Sequence, residues 1–144
     1  MYSKKKILIT GSNGLLGQKL VKALKGINEV EIIATSKGRN RISDTSGFIY
    51  EPLDITDKAQ LEKVFRKYMP GTIINTAAMT NVDACESDKE ACKAMNVTAV
   101  QDMVDVLTEL QHLLNKPDSE PPHFIHLSTD FVFDGESGPY KEED

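Results

Sequence analysis

The sequence predicts an α/β fold: a doubly wound, parallel sheet with strand order 3-2-1-4-5 and helices on both faces. Short apolar segments alternate with longer stretches of helical period, which indicates parallel strands joined by right-handed crossovers. Most of the apolar segments lack polar alternation, as expected for strands buried on both faces. The 144 residues, 40% of them hydrophobic, suffice for one core, so we interpret residues 1–144 as one domain.

The first predicted helix lies between the first two strands. It follows Gly14 and ends near Gly26, because Leu16, Leu20 and Leu24 recur on one helical face. The five predicted strands are residues 7–10, 30–34, 48–53, 72–75 and 124–127.

Two further helices are predicted from their start and stop signals. A capping-box variant at residues 57–60 starts the second, and Pro70 with Gly71 ends it. A full capping-box pattern at residues 87–90 starts the third. The stretch 37–47 has no helical stripe, so we expect a loop between the second and third strands. The stripe of the third helix comprises Met95, Ala99, Met103, Leu107, Leu110 and Leu114.

Three glycines, Gly11, Gly14 and Gly17, follow the first strand, where the chain should turn into a helix. The first amides of a helix lack partners within it, and the helix dipole makes this end attractive to anions. We expect Gly11 to allow the turn, Gly14 to let a pyrophosphate reach the backbone, and Gly17 to let the helix approach the sheet. This context predicts a Rossmann-type dinucleotide site. A mononucleotide P-loop is disfavoured, because no Gly-Lys-Ser/Thr follows.

The residues at the end of the second strand indicate which coenzyme, NADPH or NADH, the site prefers. An acidic residue there would bind the adenosine ribose of NAD(H), but this chain has Ser36, Lys37 and Arg39. A hydroxyl and two cations could hold a 2′-phosphate, so we predict NADPH as the preferred coenzyme and NADH as the alternative. The other interpretation of these residues is a solvated basic loop that binds no phosphate.

Charge and composition exclude several functions. A net charge of −5 argues against nucleic-acid binding, and the first apolar run, Ile7–Ile9, is too short for a signal peptide or a membrane span. We therefore expect a cytoplasmic protein. Cys85 and Cys92 would lie about 10 Å apart along one helix, so we expect them to share neither a disulfide nor a metal. His123 and His126 fall on opposite faces of a strand, and no metal site is predicted.

Four stretches together resemble the extended short-chain dehydrogenase/reductases: GSNGLLG, PLDITD, NTAAMTNVDACE and HLSTDFVFDGESGPYKEED. The last two narrow the resemblance to the dTDP-4-dehydrorhamnose reductases, and it covers essentially the whole chain. It implies NADPH-dependent reduction of the 4-keto group of dTDP-4-dehydrorhamnose, a nucleotide-sugar partner and a role in dTDP-rhamnose and cell-wall polysaccharide synthesis.

The resemblance also implies coenzyme contacts along the carboxyl ends of the strands. Alternatives remain open: Asp54 could cap the next helix, the alanines could permit close packing, and Asn96 could face solvent. The implied contacts are Gly11, Gly14, Leu15 and Leu16 at the pyrophosphate, Ser36 at the adenosine ribose, Asp54 and Ile55 at the adenine, Ala78, Met79 and Thr80 at the nicotinamide side, and Asn96 at the proton-relay water.

The substrate side is implied by the stretch after the fifth strand. Thr129 matches the catalytic hydroxyl that hydrogen-bonds the substrate carbonyl, although spacing alone would allow Ser128 equally. Asp130 would contact the sugar or simply start a turn. Phe131 stands where the family usually has a tyrosine, which leaves the sugar specificity open.

The family's Tyr-x-x-x-Lys pair has no credible match here. The resemblance therefore implies an amino-terminal portion that lacks the later strands and the substrate lobe, binds coenzyme and turns over little. The fifth strand would then be an unpaired edge, which favours self-association, for example as a homodimer. Two other functions are weighed: an NADP-binding regulatory subunit like that of methionine adenosyltransferase, and a nucleotide-sugar epimerase or dehydratase.

Overall fold

The computed structural model describes residues 4–113, 121–129 and 135–143. Its five strands are all parallel and form one sheet in the order β3-β2-β1-β4-β5, which confirms the predicted fold class and strand order. The strands are β1 Lys5–Thr10, β2 Val30–Ser36, β3 Ile49–Pro52, β4 Thr72–Asn75 and β5 His123–His126. The helices are α1 Leu15–Leu24, α2 Lys58–Tyr68, α3 Val82–Ser87, α4 Lys89–Lys93 and α5 Ala99–Leu113, with a π-helical segment Ala94–Thr98 between α4 and α5.

The sheet has a separate apolar cluster on each face. Neighbouring residues of a strand point to opposite faces, so Leu8 and Ile9 belong to different clusters. Val21 of α1 packs with Ile9 on one face. Helices α2 and α5 pack on the other, where Phe65 and Met103 are fully buried. The predicted loop between β2 and β3 is confirmed, and no helix of the described ranges is long and apolar enough to cross a bilayer.

Helix α2 begins and ends as the sequence predicts. The Asp57 carboxylate accepts a hydrogen bond from the Gln60 backbone N–H at 3.1 Å, and the Gln60 side chain returns one at 2.8 Å. Met69 then adopts a left-handed conformation, φ 48°, directly before Pro70. Helix α2 starts after β3, near the edge formed by the carboxyl ends of the strands. It ends before β4, near the edge formed by their amino ends.

The predicted capping box at Ser87 is wrong. Ser87 ends α3, and its hydroxyl donates to the Asp83 carbonyl at 2.7 Å. Asp88, with φ −134° and ψ 81°, interrupts the helix and caps α4 by accepting from the Ala91 N–H at 2.9 Å. A carboxylate at this position satisfies the amide and also interacts with the helix dipole, which explains the shift by one residue.

Candidate functional site

The glycine turn after β1 has the close approaches that the spacing predicts. Gly11 has φ +67°, and a Cβ there would lie 2.7 Å from the Ala77 backbone N. A Cβ on Gly17 would lie 2.4 Å from the Gly11 carbonyl O. These two glycines are therefore required by the packing of the turn itself.

Gly14 is different, because it is exposed and precedes the first turn of α1. It has extended backbone angles, and no side chain caps the amides that follow. No acidic residue lies in the first turn of the helix. An uncapped, positively polarised helix start fits the pyrophosphate of a dinucleotide, so the residues present suit the predicted coenzyme.

Two neighbouring cavities open along the carboxyl ends of the strands, with volumes of about 240 and 700 Å³. They share residues 76–78 and form one crevice above β1 and β4. This edge is where open parallel sheets bind ligands. The smaller cavity is lined by the predicted residues Gly11, Gly14, Ser36, Lys37, Asp54 and Ile55. The larger is lined by the predicted residues Ala78, Met79, Thr80, Asn96 and Thr129.

Some predicted coenzyme residues do not line this crevice. Leu15 is 79% exposed and borders a separate depression beside Ile42. Leu16, placed in the apolar stripe of α1, is 41% exposed. Gly17 is buried below the turn, and the exposed Arg39 lies in the loop after β2. The contacts of these four residues with a coenzyme stay predictions.

The adenosine end holds an ion pair. Lys37 Nζ lies 2.7 Å from Asp54 Oδ2, and Asp54 Oδ1 accepts from the backbone N–H and hydroxyl of Thr56 at 3.0 and 2.7 Å. The Lys37 ammonium is the first cause that holds the pKa of Asp54 below its ordinary value, and the same contact raises the pKa of Lys37. The Lys37 side chain is 76% exposed, so the pair adds little to stability. It does mean that a 2′-phosphate would compete with Asp54 for this cation.

Asn13 ties the glycine turn to the loop after β2, a role that the sequence did not reveal. Its Nδ2 donates to the Arg39 carbonyl at 2.9 Å, and its Oδ1 accepts from the Arg41 N–H at 2.8 Å. The Tyr50 hydroxyl donates to the Gly38 carbonyl of the same loop at 2.8 Å. The loop that carries Arg39 is therefore held close to the turn. Asn13 stands between the glycines of the motif, and its partners are distant in sequence.

Asn96 positions the loop after β4. Its Oδ1 accepts from the Met79 backbone N–H at 2.8 Å, and its Nδ2 donates to the Met79 carbonyl at 3.0 Å. Both ends of the side-chain amide thus hold one residue of the crevice wall. Asn96 lies in the π-helical segment, a distortion often found at functional sites.

The two cysteines are closer together than expected. Cys85 lies in α3 and Cys92 in α4, and the interruption at Asp88 invalidates the axial separation calculated for a continuous helix. A hydrogen bond with Cys92 is the first cause that raises the pKa of Cys85 to about 11, followed by burial. Both cysteines are free in the structure, and the expectation that they share neither a disulfide nor a metal stays a prediction.

A chain of polar side chains leads from the buried Thr10 and Asn75 to the exposed His126 beside the larger cavity. The Thr10 hydroxyl donates to Asn75 Oδ1, and Asn75 Nδ2 lies 3.0 Å from His126 Nδ1. His126 also borders the larger cavity, although the sequence suggested no role for it. Nearby, the buried hydroxyl of Ser12 has no hydrogen-bond partner among the described residues. A ligand at the turn could satisfy this hydroxyl.

The described part of the substrate side ends at Thr129, which follows β5 and borders the larger cavity with Ser128. Asp130 and Phe131 lie outside the described residues. Within the described ranges no group of three or more His, Cys, Asp and Glu residues could hold a metal ion.

Comparisons with known proteins agree with this architecture. The family described as the RmlD substrate binding domain matches residues 5–144. The chain is 36% identical over 135 residues to the probable low-salt glycan biosynthesis reductase Agl14 of Haloferax volcanii, covering 94% of this chain and 40% of that protein. It is 32% identical over 140 residues to dTDP-4-dehydrorhamnose reductase of Aggregatibacter actinomycetemcomitans, covering 96% and 40%. The crystal structure of a hypothetical dTDP-4-dehydrorhamnose reductase from Sulfolobus tokodaii has a TM-score of 0.73 and 39% identity, covering 96% and 44%.

A protein named for a different activity is also similar to this chain. Methionine adenosyltransferase 2 subunit beta of Xenopus laevis is 30% identical over 139 residues, which cover 96% of this chain and 36% of that protein. The chain thus spans about two fifths of the length of the relatives it matches. The family match extends over nearly all of the chain. The observed strand order is the one that the sequence motifs predicted. The chain belongs to the RmlD substrate binding domain family, to which the dTDP-4-dehydrorhamnose reductases are related.

Proposed function

We propose that this chain is the coenzyme-binding part of an NADPH-dependent reductase that acts on the 4-keto group of dTDP-4-dehydrorhamnose. The observation that carries the proposal is the crevice at the carboxyl edge of the sheet, with an uncapped helix start at one side and Thr129 at the other. The proposal includes a cytoplasmic location and pairing of the β5 edge with a second copy.

The residues of this chain would have distinct tasks. The amides after Gly14 would bind the pyrophosphate, and Asn96 would hold Met79 against the nicotinamide side. The Thr129 hydroxyl would donate a hydrogen bond to the sugar carbonyl oxygen and stabilise the charge that develops there. The bound coenzyme would supply the hydride.

The coenzyme preference is tested by isothermal titration with NADPH and NADH. We expect tighter binding of NADPH, and we expect Arg39→Ser to weaken NADPH about tenfold while leaving NADH nearly unchanged, because one charge-assisted phosphate contact is removed. Arg66→Ser is the matched control, since Arg66 lies in the last turn of α2, away from the crevice. Tighter binding of NADH, or equal losses for both coenzymes, would contradict the assignment.

The ion pair at the adenosine end gives a second prediction. Asp54→Asn should raise the ratio of NADPH to NADH affinity about threefold, because Lys37 loses its carboxylate partner and can turn to a 2′-phosphate. The ratio is the informative quantity, since the Asp54 change affects the shared adenine contact of both coenzymes. In the double variant Asp54→Asn/Lys37→Ser, the gain should disappear. If the higher ratio persists without Lys37, the gain does not come from freeing the Lys37 ammonium from its ion pair with Asp54.

A regulatory NADP-binding subunit is the second candidate, favoured by the similarity to methionine adenosyltransferase 2 subunit beta. Both candidates predict coenzyme binding, so binding alone does not separate them. The protein with its full natural length should oxidise NADPH when dTDP-4-dehydrorhamnose is added if it is a reductase. Coenzyme binding without such turnover would favour the regulatory subunit.

A further inference from the structure

The thiols of Cys85 and Cys92 lie beside the loop that lines the larger cavity. Both cysteines are free and half-buried. Cys85 Sγ donates to the Met79 carbonyl at 3.5 Å, and Cys92 Sγ accepts from the Asn96 amide at 3.4 Å. That amide also donates to the Met79 carbonyl at 3.0 Å. Cys85 therefore contacts the Met79 carbonyl directly, and Cys92 contacts the side-chain amide that binds the same carbonyl.

The two thiols lie close to each other, since Cys85 contacts the Met79 carbonyl and Cys92 contacts the amide that binds this carbonyl. A hydrogen bond with Cys92 is accordingly the first cause of the raised pKa of Cys85. They lie on the short helices α3 and α4, of six and five residues, in which no residue is buried. A movement that joins the sulfurs therefore breaks few core contacts of α3 and α4. Cys85 borders the larger cavity, which gives small molecules access to the pair.

We propose that Cys85 and Cys92 form a redox-active dithiol, which closes to an intramolecular disulfide and loosens the loop after β4. The proposed coenzyme function does not use these thiols. Only the further consequence, weaker coenzyme binding after oxidation, rests on that function.

The oxidant is a low-molecular-weight disulfide such as oxidised glutathione. The Cys92 thiolate attacks one glutathione sulfur, which forms a mixed disulfide and releases the first glutathione. The Cys85 sulfur then attacks the Cys92 sulfur, and the second glutathione leaves with the Cys85 proton. Overall, two protein thiols are oxidised to one disulfide, and one glutathione disulfide is reduced to two thiols.

Oxidation changes the contacts of Met79. The S–H group of Cys85 is lost as a donor to the Met79 carbonyl, and the Cys92 sulfur is drawn away from the Asn96 amide. The bidentate hold of Asn96 on Met79 then loses the neighbours that support it. Faster exchange of the Met79 backbone amide is the direct consequence.

The test exposes the chain to oxidised glutathione and follows intact mass and hydrogen exchange. We expect the wild type to lose two hydrogens and keep no glutathione, while Cys85→Ser retains one glutathione on Cys92 because no resolving thiol remains. The Met79 amide should exchange about fivefold faster in the oxidised wild type, as one weakened hydrogen bond implies. A stable glutathione adduct on the wild type, a disulfide between two chains, or unchanged exchange after the disulfide has formed would each overturn the proposal.

A coenzyme titration separates this inference from the proposed function. NADPH should bind the oxidised wild type about fivefold more weakly than the reduced form. The double variant Cys85→Ser/Cys92→Ser, treated with the same oxidant, should bind like the untreated double variant. If the reduced protein binds neither coenzyme, the proposed function fails, and mass and exchange still decide the dithiol. If the disulfide forms and the affinity does not fall, the link to the crevice is wrong.

Discussion

Gly17→Ala is expected to lower the free energy of unfolding by about 3 kcal/mol and to abolish coenzyme binding. The added Cβ would lie 2.4 Å from the Gly11 carbonyl O and 2.6 Å from Ser12 Cα. Both are backbone atoms, and the Ser12 N–H is hydrogen-bonded to the Thr35 carbonyl at 2.9 Å. Gly11 itself packs against Ala77, so the turn has no direction in which to move. Urea unfolding and titration with NADPH measure the two effects.

Gly26→Ala is the matched control for this prediction. Gly26 follows the same helix, but no atom lies within 4 Å of a Cβ placed there. The free energy of unfolding should change by no more than about 0.5 kcal/mol, and coenzyme affinity should stay the same. If Gly17→Ala unfolds at the urea concentration of the wild type, the turn is softer than its contacts indicate. The pyrophosphate assignment would then lose its structural basis.

The fold was predictable because its signals are local. The apolar runs that form β1 and β4 are short and flanked by polar residues or glycine, and Pro70 clearly marks the end of α2. The glycine spacing predicted the close approach at Gly17 because a helix beginning right after a buried strand leaves no room for a side chain there. The strand order is that of a Rossmann-type sheet, which the glycine turn after the first strand had indicated.

The break between α3 and α4 was not predictable, because Ser87 and Asp88 are both good capping residues. The short helix α3 before this break has no buried residue, and the apolar stripe begins only at Met95, so no apolar pattern predicted α3. The π-helical segment that aims Asn96 at Met79 has no sequence signature of its own. The proximity of the two thiols depends on the break at Asp88, which separates α3 from α4.

Contacts between distant segments were also beyond the sequence. The pairing of Lys37 with Asp54 joins the ends of two strands, and the hydrogen bonds of Asn13 reach a loop across the turn. Each side chain has several physically reasonable partners in the sequence. Only the packed sheet decides which partner each side chain contacts. The location of the candidate site and its glycine turn were therefore predictable, whereas the contacts among its side chains were not.

Asn96→Ala should weaken coenzyme binding about tenfold and lower the free energy of unfolding by about 2 kcal/mol. The change removes two hydrogen bonds with Met79, from its N–H at 2.8 Å and to its carbonyl at 3.0 Å, together with the weaker one to Cys92 Sγ at 3.4 Å. Met79 is half-buried, so water replaces these partners only in part. Gln101→Ala is the matched control, because its amide donates one exposed hydrogen bond, to Asp105 of the same helix α5. It should change neither quantity measurably.

Asn96→Asp then distinguishes positioning from simple loss of volume. The ionised carboxylate can still accept from the Met79 N–H, but its second oxygen repels the Met79 carbonyl, so the variant should be as unstable as Asn96→Ala near neutral pH. Contact with a carbonyl oxygen favours the protonated acid and raises the pKa of the introduced carboxyl in the folded state. The stability deficit relative to the wild type should therefore shrink as the pH falls through that pKa, because the protonated group regains a donor. A deficit that is the same at every pH at which the wild type stays folded would show that Asn96 does not act through the Met79 carbonyl.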